Sequence, residues 1–380
     1  MRNILRRRER GQVLMFVAAI APLLLGMTGM AVDIGGYAGH KRHLQNAADS
    51  IALAAAQDLC KVSCSDTTAA TANANAWAAK NNVNPSDVTL TFFGGSTAPA
   101  VRATVSGTHT FAFMRVLGIS SKGIGASAAA VKASFGGGTG IVPWAVTTAA
   151  LNGVTNGSLV TLKYDATGST NGNFNPIRVD GSGASIYTNS VQYGAQSVAC
   201  AATTTNCSTS ACASGAFPGA CAENSPTCTG PDCTPQPGNV LGPTRTAVDF
   251  RMNNTTAECN TFGGGAPGST GAFWVSAGQY ILNPNCNPWS GPGQCVGTTP
   301  GLCSRRVIIV PIVNGFGNGA STPVTIQKFA LIYLEGYAGG KCQGNSCQIT
   351  GEYVQANVSA NALIGVYDPT ASIQFTKLTE

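Results

Sequence analysis

The first sixty residues form a charged segment, a long apolar segment and an amphipathic segment. Residues 13–32 contain no charged side chain, and twenty helical residues extend about 30 Å, the thickness of the hydrocarbon core of a bilayer. Further on, apolar residues recur at helical spacing: Leu44, Ala47, Ala48, Ile51, Ala54, Ala55 and Leu59. The pattern predicts a membrane-spanning helix that continues outside the membrane as an Ala-rich helix.

The apolar segment has three alternative fates. It is a retained anchor, a cleaved signal peptide, or a pilin-type leader cut after Gly11. A cleavable signal has an apolar region of about 7–15 residues followed by a small-x-small site, whereas this run is longer and continues into residues 33–37, DIGGY. A cut after Gly11 would place Phe16, not the usual Glu, at the fifth position of the mature chain. We predict a retained anchor and leave both kinds of cleavage open.

Four residues mark this predicted anchor. Val13 and Val32 are its apolar ends, and Pro22 lies within it. Proline removes one helical hydrogen bond, which membrane helices tolerate because neighbouring groups satisfy the freed carbonyl. Asp33 follows the apolar run, and we interpret it as a carboxylate that marks the outer end of the span and reaches water.

A small α/β domain is predicted after the anchor. Residues 67–82 are Ala-rich and helical in pattern, residues 88–92 and 100–107 alternate as strands, and residues 127–134 form a small-residue strand. A short helix is predicted over residues 110–118. We expect its inward side chains to be Phe111, Met114 and Leu117.

Beyond a glycine linker at residues 136–138 the pattern is mostly that of strands. The β-like runs are residues 141–147, 158–164, 177–179, 306–313, 324–334 and 351–356. Helical periodicity is scarce, and an all-β sandwich or an irregular β-domain is predicted. Residues 196–304 are rich in Cys, Pro, Gly and Thr and are interpreted as a loop-rich insertion.

Composition places the larger part of the chain outside the cytoplasm. Charged residues make up 10% of the 380 residues, against about 25% in typical globular proteins. Five arginines and one glutamate precede residue 12, so the positive-inside rule predicts a cytoplasmic N-terminus. The rest of the chain is close to neutral and has no basic cluster interleaved with aromatic residues, which gives no support to nucleic-acid binding.

Fourteen cysteines follow the apolar run, and none precedes it. On the outer side of a membrane they would meet an oxidising environment, so disulfides are predicted. Their pairing cannot be deduced from sequence, although Cys342 and Cys347 are spaced to close a hairpin turn, and a bond between Cys60 and Cys64 would constrain little. The candidates are Cys60, Cys64, Cys200, Cys207, Cys212, Cys221, Cys228, Cys233, Cys259, Cys286, Cys295, Cys303, Cys342 and Cys347.

A resemblance to a known family appears at the N-terminus. The segment ERGQVLMFVAAIAPLLLGMTGMAVDIG followed by LQNAADSIALAAA resembles the N-terminal module of the TadE/TadG-like proteins of Flp (Tad, tight-adherence) pilus assembly systems. Pieces of the later chain, among them IVPWAVTT and RRVIIVPIVNG, are similar to TadG-related extracytoplasmic regions. The resemblance implies a bacterial inner-membrane protein whose partners are pilins or other pilus-assembly membrane proteins.

Sequence chemistry gives little support to an enzyme. The three histidines are His40, His43 and His109, so Ser-His or Cys-His catalysis and a His-ligated zinc site are excluded in residues 139–380. We predict no catalytic residue, no cofactor and no metal site. Some TadG relatives carry a von Willebrand A-type metal motif, but at Asp180 the fifth position is Ala184 and no amphipathic helix is expected after it. Asp165, Asn171 and Asn173 only crudely suggest a calcium loop, and a hairpin tip is the preferred interpretation.

The predicted fold class is α+β, in four parts. A basic cytoplasmic tail (residues 1–12) precedes the transmembrane helix (13–37), a TadE/TadG-like, pilin-like α/β domain (38–135) and a β-rich extracytoplasmic domain stapled by disulfides (136–380). The predicted function is that of a non-enzymatic minor pilin-like or assembly component of a Tad/Flp-type pilus. The alternative is an anchored adhesin that binds a surface or a glycan. In that case Phe217, Phe262, Phe273, Trp274, Tyr280 and Trp289 would supply stacking contacts.

Overall fold

A computed structural model describes most of the chain. The described residues are 9–61, 63–169, 173–202, 228–229, 232–253, 259–265, 270–276, 279–283, 286, 304–317, 322–344, 346–357 and 363–379. They divide into unit 1, Met1–Val131 with Thr376–Glu380, and unit 2, Lys132–Phe375.

Long helices belong mainly to unit 1 and strands mainly to unit 2. The α-helices are α1 (Glu9–Gln57), α2 (Thr68–Lys80), α3 (Ala184–Tyr193) and α4 (Leu241–Met252). The strands are β1 (Val88–Phe93), β2 (Ala100–Thr110), β3 (Ser121–Gly138), β4 (Val146–Thr147), β5 (Leu159–Lys163), β6 (Ala199–Cys200), β7 (Cys228–Thr229), β8 (Asp232–Cys233), β9 (Thr261–Gly264), β10 (Gly271–Ser276), β11 (Gln279–Leu282), β12 (Val307–Val313), β13 (Val324–Tyr337), β14 (Ile349–Val354), β15 (Ala356–Asn357), β16 (Leu363–Gly365) and β17 (Ile373–Leu378). Short 3-10 helices lie at Pro85–Asp87, Met114–Leu117, Ala149–Leu151 and Ala338–Gly340.

Unit 1 packs its two helices against an antiparallel sheet. The outer half of α1 carries a stripe of fully buried side chains, including Ala47, Ala48 and Ile51, because small residues at helical spacing let the backbone approach its neighbours closely. Helix α2 buries Ala70, Ala74 and Ala78. Strands β1, β2 and the first part of β3 form successive antiparallel hairpins.

The predicted element order of this region is confirmed, since α1, α2, β1, β2, the 3-10 helix and β3 follow one another. The side chains of the short helix do not all point inward, however. Phe111 is buried, but Leu117 is 66% exposed, so the prediction of an inward Leu117 is wrong. The helix is a single 3-10 turn of four residues, which is too short to bury the positions that a longer α-helix would.

Unit 2 contains two sheets. One has the order β4-β12-β13-β14-β5, and β8 pairs with the start of β13. In the other, β17, β15, β11, β10 and β9 are neighbours in that order. The last residues of β3 pair with β16 and β6.

Strand β12 separates two hydrophobic cores. Val307, Ile309 and Val313 belong to a core shared with Phe273 and Ile373 of the other sheet. The alternate residues Ile308, Val310 and Ile312 belong to a second core with Tyr187 of α3 and Val248 of α4. Since successive side chains of a strand point to opposite faces, the continuous apolar run of β12 is explained by burial on both faces.

Helices α3 and α4 correct the expectation that unit 2 is all-β or irregular. They are joined by a hydrogen bond between the Tyr187 hydroxyl of α3 and Thr244 Oγ1 of α4, at 3.0 Å. The same hydroxyl accepts a bond from Trp144 Nε1 at 2.8 Å. Arg251 of α4 donates to the carbonyl oxygen of Val191 in α3. The coarser prediction, a mixed α+β chain with an apolar N-terminal helix followed by β-rich sheets, is confirmed.

Within residues 196–304, which the sequence indicates to be a loop-rich insertion, the described part contains α4 and strands β6 to β11. The stretches 203–227 and 287–303 lie outside the described residues.

Candidate functional site

The inner half of α1 exposes its apolar side chains. Among the large apolar residues from Met15 to Ile34, exposure ranges from 38% at Met30 to 72% at Leu25. A side chain of the size of leucine left in water forgoes about 1.5–3 kcal/mol relative to burial. This half of the helix therefore requires apolar surroundings.

The predicted anchor residues lie along this half. Pro22 is inside the helix, which continues through it, and Val32 is 58% exposed. Val13 is helical, and its side chain lies outside the described residues. Among the helices of the described part, α1 is long and apolar enough to cross a membrane, over Met15–Gln57.

Asp33 lies at the end of the apolar half, where it is 4% exposed. Its carboxylate accepts hydrogen bonds from the backbone N–H groups of Ala112, Phe113 and Met114, at 2.9, 2.9 and 2.7 Å. These groups begin the 3-10 helix Met114–Leu117, and an anion at the start of a helix satisfies otherwise unpaired N–H groups. The expectation that the Asp33 carboxylate reaches water is wrong, because the side chain is buried and bonded to backbone groups. These groups lie about eighty residues later in the chain.

Gly29 lies one turn before Asp33 and receives the ring of Phe113. A Cβ atom at Gly29 would lie 2.6 Å from Phe113 Cγ, which is closer than van der Waals contact allows. Glycine is therefore required for this approach. At Gly26, by contrast, a Cβ atom would meet nothing within 4 Å.

An aromatic cluster continues the contact outward. The His109 ring packs on Tyr37 at 5.8 Å and on Phe111 at 5.1 Å between ring centroids, with edge-to-face geometry. His40 lies 5.7 Å from His109. Edge-to-face aromatic pairs add about 0.5–1.5 kcal/mol to the burial of their area, so α1 is fastened to the end of β2.

The residues after this contact form what we call the apolar tip: Phe113, Val116, Leu117 and Ile119. They are 51%, 89%, 66% and 43% exposed, respectively. Gly118, with a φ of +85°, ends the 3-10 helix in the left-handed conformation. The junction of α1 with the tip (Gly29, Asp33 and the four tip residues) is the candidate functional site.

The alanine side chains of the outer half of α1 are buried inside unit 1. Ala47, Ala48, Ala52, Ala55 and Ala56 are fully buried. Of the two interpretations of these small residues, core packing is therefore the one that the structure supports. A pilin-like packing face would have to use other positions.

Asp180 is followed by a helix, α3, contrary to the expectation from sequence. Its carboxylate accepts hydrogen bonds from Ser190 Oγ and from the backbone N–H groups of Gln196 and Ser197. The donors lie in the second half of α3 and just after it, so this carboxylate, which precedes α3, connects the two segments that flank the helix. In the part of the chain that the structure describes, no group of three or more His, Cys, Asp or Glu residues is placed to hold a metal ion.

Asp165 also makes local contacts. A hydrogen bond from the Thr167 hydroxyl, together with bonds from the backbone N–H groups of Gly168 and Thr167, holds the pKa of Asp165 below the usual range. Asn173 donates to the carbonyl oxygen of Gly317, and Asn171 lies outside the described residues. The described contacts are those of a turn.

Three disulfides are present in the described part: Cys60–Cys64, Cys259–Cys286 and Cys342–Cys347. Cys200 is also disulfide-bonded. The prediction that the chain contains disulfides is confirmed. Cys207, Cys212, Cys221, Cys295 and Cys303 lie outside the described residues, as do the side chains of Cys228 and Cys233.

Several of the aromatic residues considered for glycan stacking are packed in or against the hydrophobic core of unit 2. Phe273 is fully buried, and Phe262 and Tyr280 pack against the same core with ring centroids 5.3 Å apart. Trp274 is half-buried, and Phe217 and Trp289 lie outside the described residues. The described positions therefore favour a structural role.

Lys163 is a buried cation of unit 2. Its Nζ donates to the carbonyl oxygens of Tyr164 and Cys347, at 3.2 and 3.3 Å, and to Asn239 Oδ1. Burial lowers the pKa of Lys163 to about 8, partly opposed by the charge of Asp165. The Cys347 acceptor links β5 to the Cys342–Cys347 turn, and the Asn239 acceptor links it to the segment before α4. No feature of the sequence indicated this lysine.

In the part of the chain that the structure describes, these features are one candidate membrane span and a folded α+β body. Residues 11–58 match the family model described as "Putative Flp pilus-assembly TadE/G-like". The match confirms the resemblance stated above for that segment, which covers about an eighth of the 380 residues. Comparison with curated proteins and comparison with solved structures gave no match.

Proposed function

We propose that this protein is a membrane-anchored, non-enzymatic component of a Tad/Flp-type pilus, either a minor pilin-like subunit or an assembly component. The match of residues 11–58 to the pilus-assembly family carries the proposal. The matched segment contains both the exposed apolar half of α1 and its buried outer half. One helix thus joins the membrane to the folded body.

The anchor is retained in the mature protein. Gly29 receives the Phe113 ring and Asp33 binds three backbone N–H groups of unit 1. A signal peptidase cut after Val32 would remove the first contact and leave Asp33 at a chain end. Cleavage after Gly11 would leave both contacts in place and is compatible with the proposal.

The protein spans the inner membrane of a bacterium once, with its N-terminus in the cytoplasm and its folded body outside. Five arginines precede the apolar run, which is the charge bias of a cytoplasmic flank. The disulfides of both units suit an oxidising compartment. Its partners are pilins or other membrane proteins of pilus assembly, bound through the exposed helix within the membrane.

Deletion of the gene tests this function. We expect loss of pili and of surface adhesion, both restored by the wild-type chain, and we expect the protein in the envelope fraction or in sheared pili. In a matched complementation, the Gly29→Leu variant should restore less piliation and adhesion than the Gly26→Leu variant. A side chain at Gly29 would clash with the Phe113 ring, whereas a side chain at Gly26 meets open space. Normal piliation and adhesion in the deletion strain would contradict the proposal.

The alternative of an anchored adhesin stays a prediction from sequence. Binding of the full chain in detergent to a glycan array or to an abiotic surface tests it directly. The buried position of Phe273 gives it no support, since a stacking platform must be accessible to its ligand.

A further inference from the structure

The apolar tip is the second exposed hydrophobic surface of unit 1, beside the exposed half of α1. Its four side chains lie within seven consecutive residues, and Val116 is the most exposed of them, at 89%. Exposed apolar clusters of this kind in a folded protein mark a surface that contacts another molecule or a membrane. Among the described residues, no such cluster lies at the Cys60–Cys64 segment after α1 or in the turn between β1 and β2, which contains Ser96.

The tip is held at the depth where the span meets the membrane surface. Phe113 packs on Gly29, which is three residues inside the apolar run that ends at Val32. At about 1.5 Å per residue, this contact lies about 4.5 Å below the end of the span. The bonds from residues 112–114 to Asp33 fix the start of the tip beside the end of the run.

Cations accompany these apolar side chains. Arg115 lies within the 3-10 helix and is exposed, and Lys122 is exposed at the start of β3. Apolar side chains flanked by Arg and Lys suit a segment at a bilayer interface, because the cations attract anionic lipid headgroups. The long side chains of Arg and Lys reach phosphate groups while the apolar residues sit deeper.

We propose that the apolar tip inserts into the outer-leaflet boundary of the bilayer that α1 spans, with anionic phospholipid as its partner. The insertion rests on the proposed membrane anchoring. It gives unit 1 a second attachment to the lipid surface, so that α1 cannot rotate freely about its axis relative to the membrane plane. Continuity of the tip with the span, through Gly29 and Asp33, favours lipid over a second protein copy as the occupant.

Fluorescence of an added tryptophan tests the insertion. Val116→Trp and Leu117→Trp are made in the full chain, which is reconstituted in vesicles of phosphatidylethanolamine and phosphatidylglycerol with or without acyl-chain bromination. Ser96→Trp is the matched control, because Ser96 is exposed in the turn at the far end of β2, and eleven strand residues extend about 35 Å. The wild-type signal is subtracted in each case.

For both tip variants we expect the added emission to be blue-shifted and mostly lost in brominated vesicles, whereas the Ser96→Trp emission is unchanged by bromination. If the tip variants show the same emission wavelength and bromine quenching as Ser96→Trp, in protein that stays in the vesicles after alkaline carbonate washing, the insertion is contradicted. The membrane anchor is not contradicted by that result. A blue shift without bromine quenching would identify a protein contact, such as a second copy, and would also overturn the insertion. Loss of the protein from the vesicles would overturn the anchor and the insertion together.

Discussion

At the scale of single residues, Asp33 lies at the end of an apolar run and holds a later segment of unit 1, residues 112–114, by hydrogen bonds. Three backbone N–H groups converge on one carboxylate that is almost fully buried. Hydrogen bonds to a charged acceptor contribute about 1.5–3 kcal/mol each, and an unsatisfied buried donor is destabilising by a similar amount. The carboxylate therefore fixes the start of the 3-10 helix to α1.

Replacing Asp33 by Ala should destabilise the junction and speed hydrogen exchange at amides 112–114, because three donors lose their acceptor. Asp33→Asn should recover part of the loss, since an amide oxygen still accepts. Hydrogen exchange of amides 112–114, measured by mass spectrometry in detergent, reports the change. Asp66→Ala is the control, since this exposed carboxylate accepts one bond from the backbone N–H of Thr68. Equal protection of amides 112–114 in wild type and Asp33→Ala would contradict the role.

Lys163 makes the stability of unit 2 depend on pH. Burial lowers its pKa to about 8 in the folded protein, against about 10.4 in an unfolded chain. Between these values the unfolded chain holds more protons than the native one, so the stability contributed by this site rises with pH. Below pH 8 both states are protonated, and the cost of burying the charge is fully present.

We expect the difference in unfolding free energy between wild type and Lys163→Met to shift in favour of wild type by roughly 2–3 kcal/mol from pH 8 to pH 10.4. Urea unfolding followed by near-UV circular dichroism measures it, and taking the difference removes the contributions of tyrosines common to both proteins. Lys341→Met, at an exposed lysine of the same unit, controls for the loss of one positive charge. A difference that is constant over this range would show that Lys163 is not titrating there.

At the scale of elements, the pattern of apolar positions was enough for α1, α2 and the strands of unit 1. Burial of one face of the outer half of α1 follows directly from the spacing of Ala47, Ala48 and Ile51. The apolar run of β12 likewise predicted a strand, although not that both of its faces are buried. Where local pattern and tertiary packing agree, sequence is a sufficient guide.

Helices α3 and α4 escaped prediction because their residues favour helix only weakly. Helix α3 is rich in Ser, Thr, Asn and Tyr, and α4 has Gly and Pro in its first turn, where Pro is tolerated. Their buried positions do follow helical spacing, as with Thr244, Ala247, Val248 and Arg251, so a weak signal was present. Their stability comes from packing on β12 and β13, which single-sequence propensity does not contain.

The junction of α1 with the apolar tip could be predicted only in part, because it depends on contacts between residues far apart in the sequence. The length and apolarity of the run indicated the span, and Asp33 was singled out by its position. Its partners and those of Gly29 lie about eighty residues further along the chain. No periodicity relates residues at that separation, so the junction appears only once unit 1 is folded.

The disulfides differ in what they constrain. Cys259–Cys286 closes a separation of 27 residues and Cys342–Cys347 one of 5. In the chain-entropy model these correspond to about 3.5 and 2 kcal/mol. We expect the pair of changes Cys259→Ala and Cys286→Ala to lower the urea midpoint more than Cys342→Ala with Cys347→Ala does, at equal protein concentration. A larger effect of the second pair would show that packing of the hairpin turn outweighs loop closure.

At the scale of the whole molecule, the proposed membrane attachment depends on the N-terminal helix, which could span a bilayer. The inner half of this helix is exposed and apolar, whereas the outer half buries its alanine side chains in unit 1. Gly29 and Asp33 lie at the transition between the two halves. A chain cut between these halves would lose the membrane attachment and part of the packing of unit 1 at once. The same helix therefore makes anchoring and folding interdependent.

This interdependence predicts the state of the mature protein. Intact-mass measurement of the native polypeptide should find a chain that is either cut between Gly11 and Gln12 or uncut there, and that in both cases retains Gly29 and Asp33. Changing Gly11 to Val distinguishes the two, because it should abolish a shorter form produced by a pilin-type peptidase and leave an uncut form unaltered. Membranes washed with alkaline carbonate should keep the protein in either case, since the exposed apolar run is intact and its transfer to water is strongly unfavourable. A mature chain that starts downstream of Val32 would leave the Phe113 ring without its glycine partner, and would show that unit 1 folds without the junction.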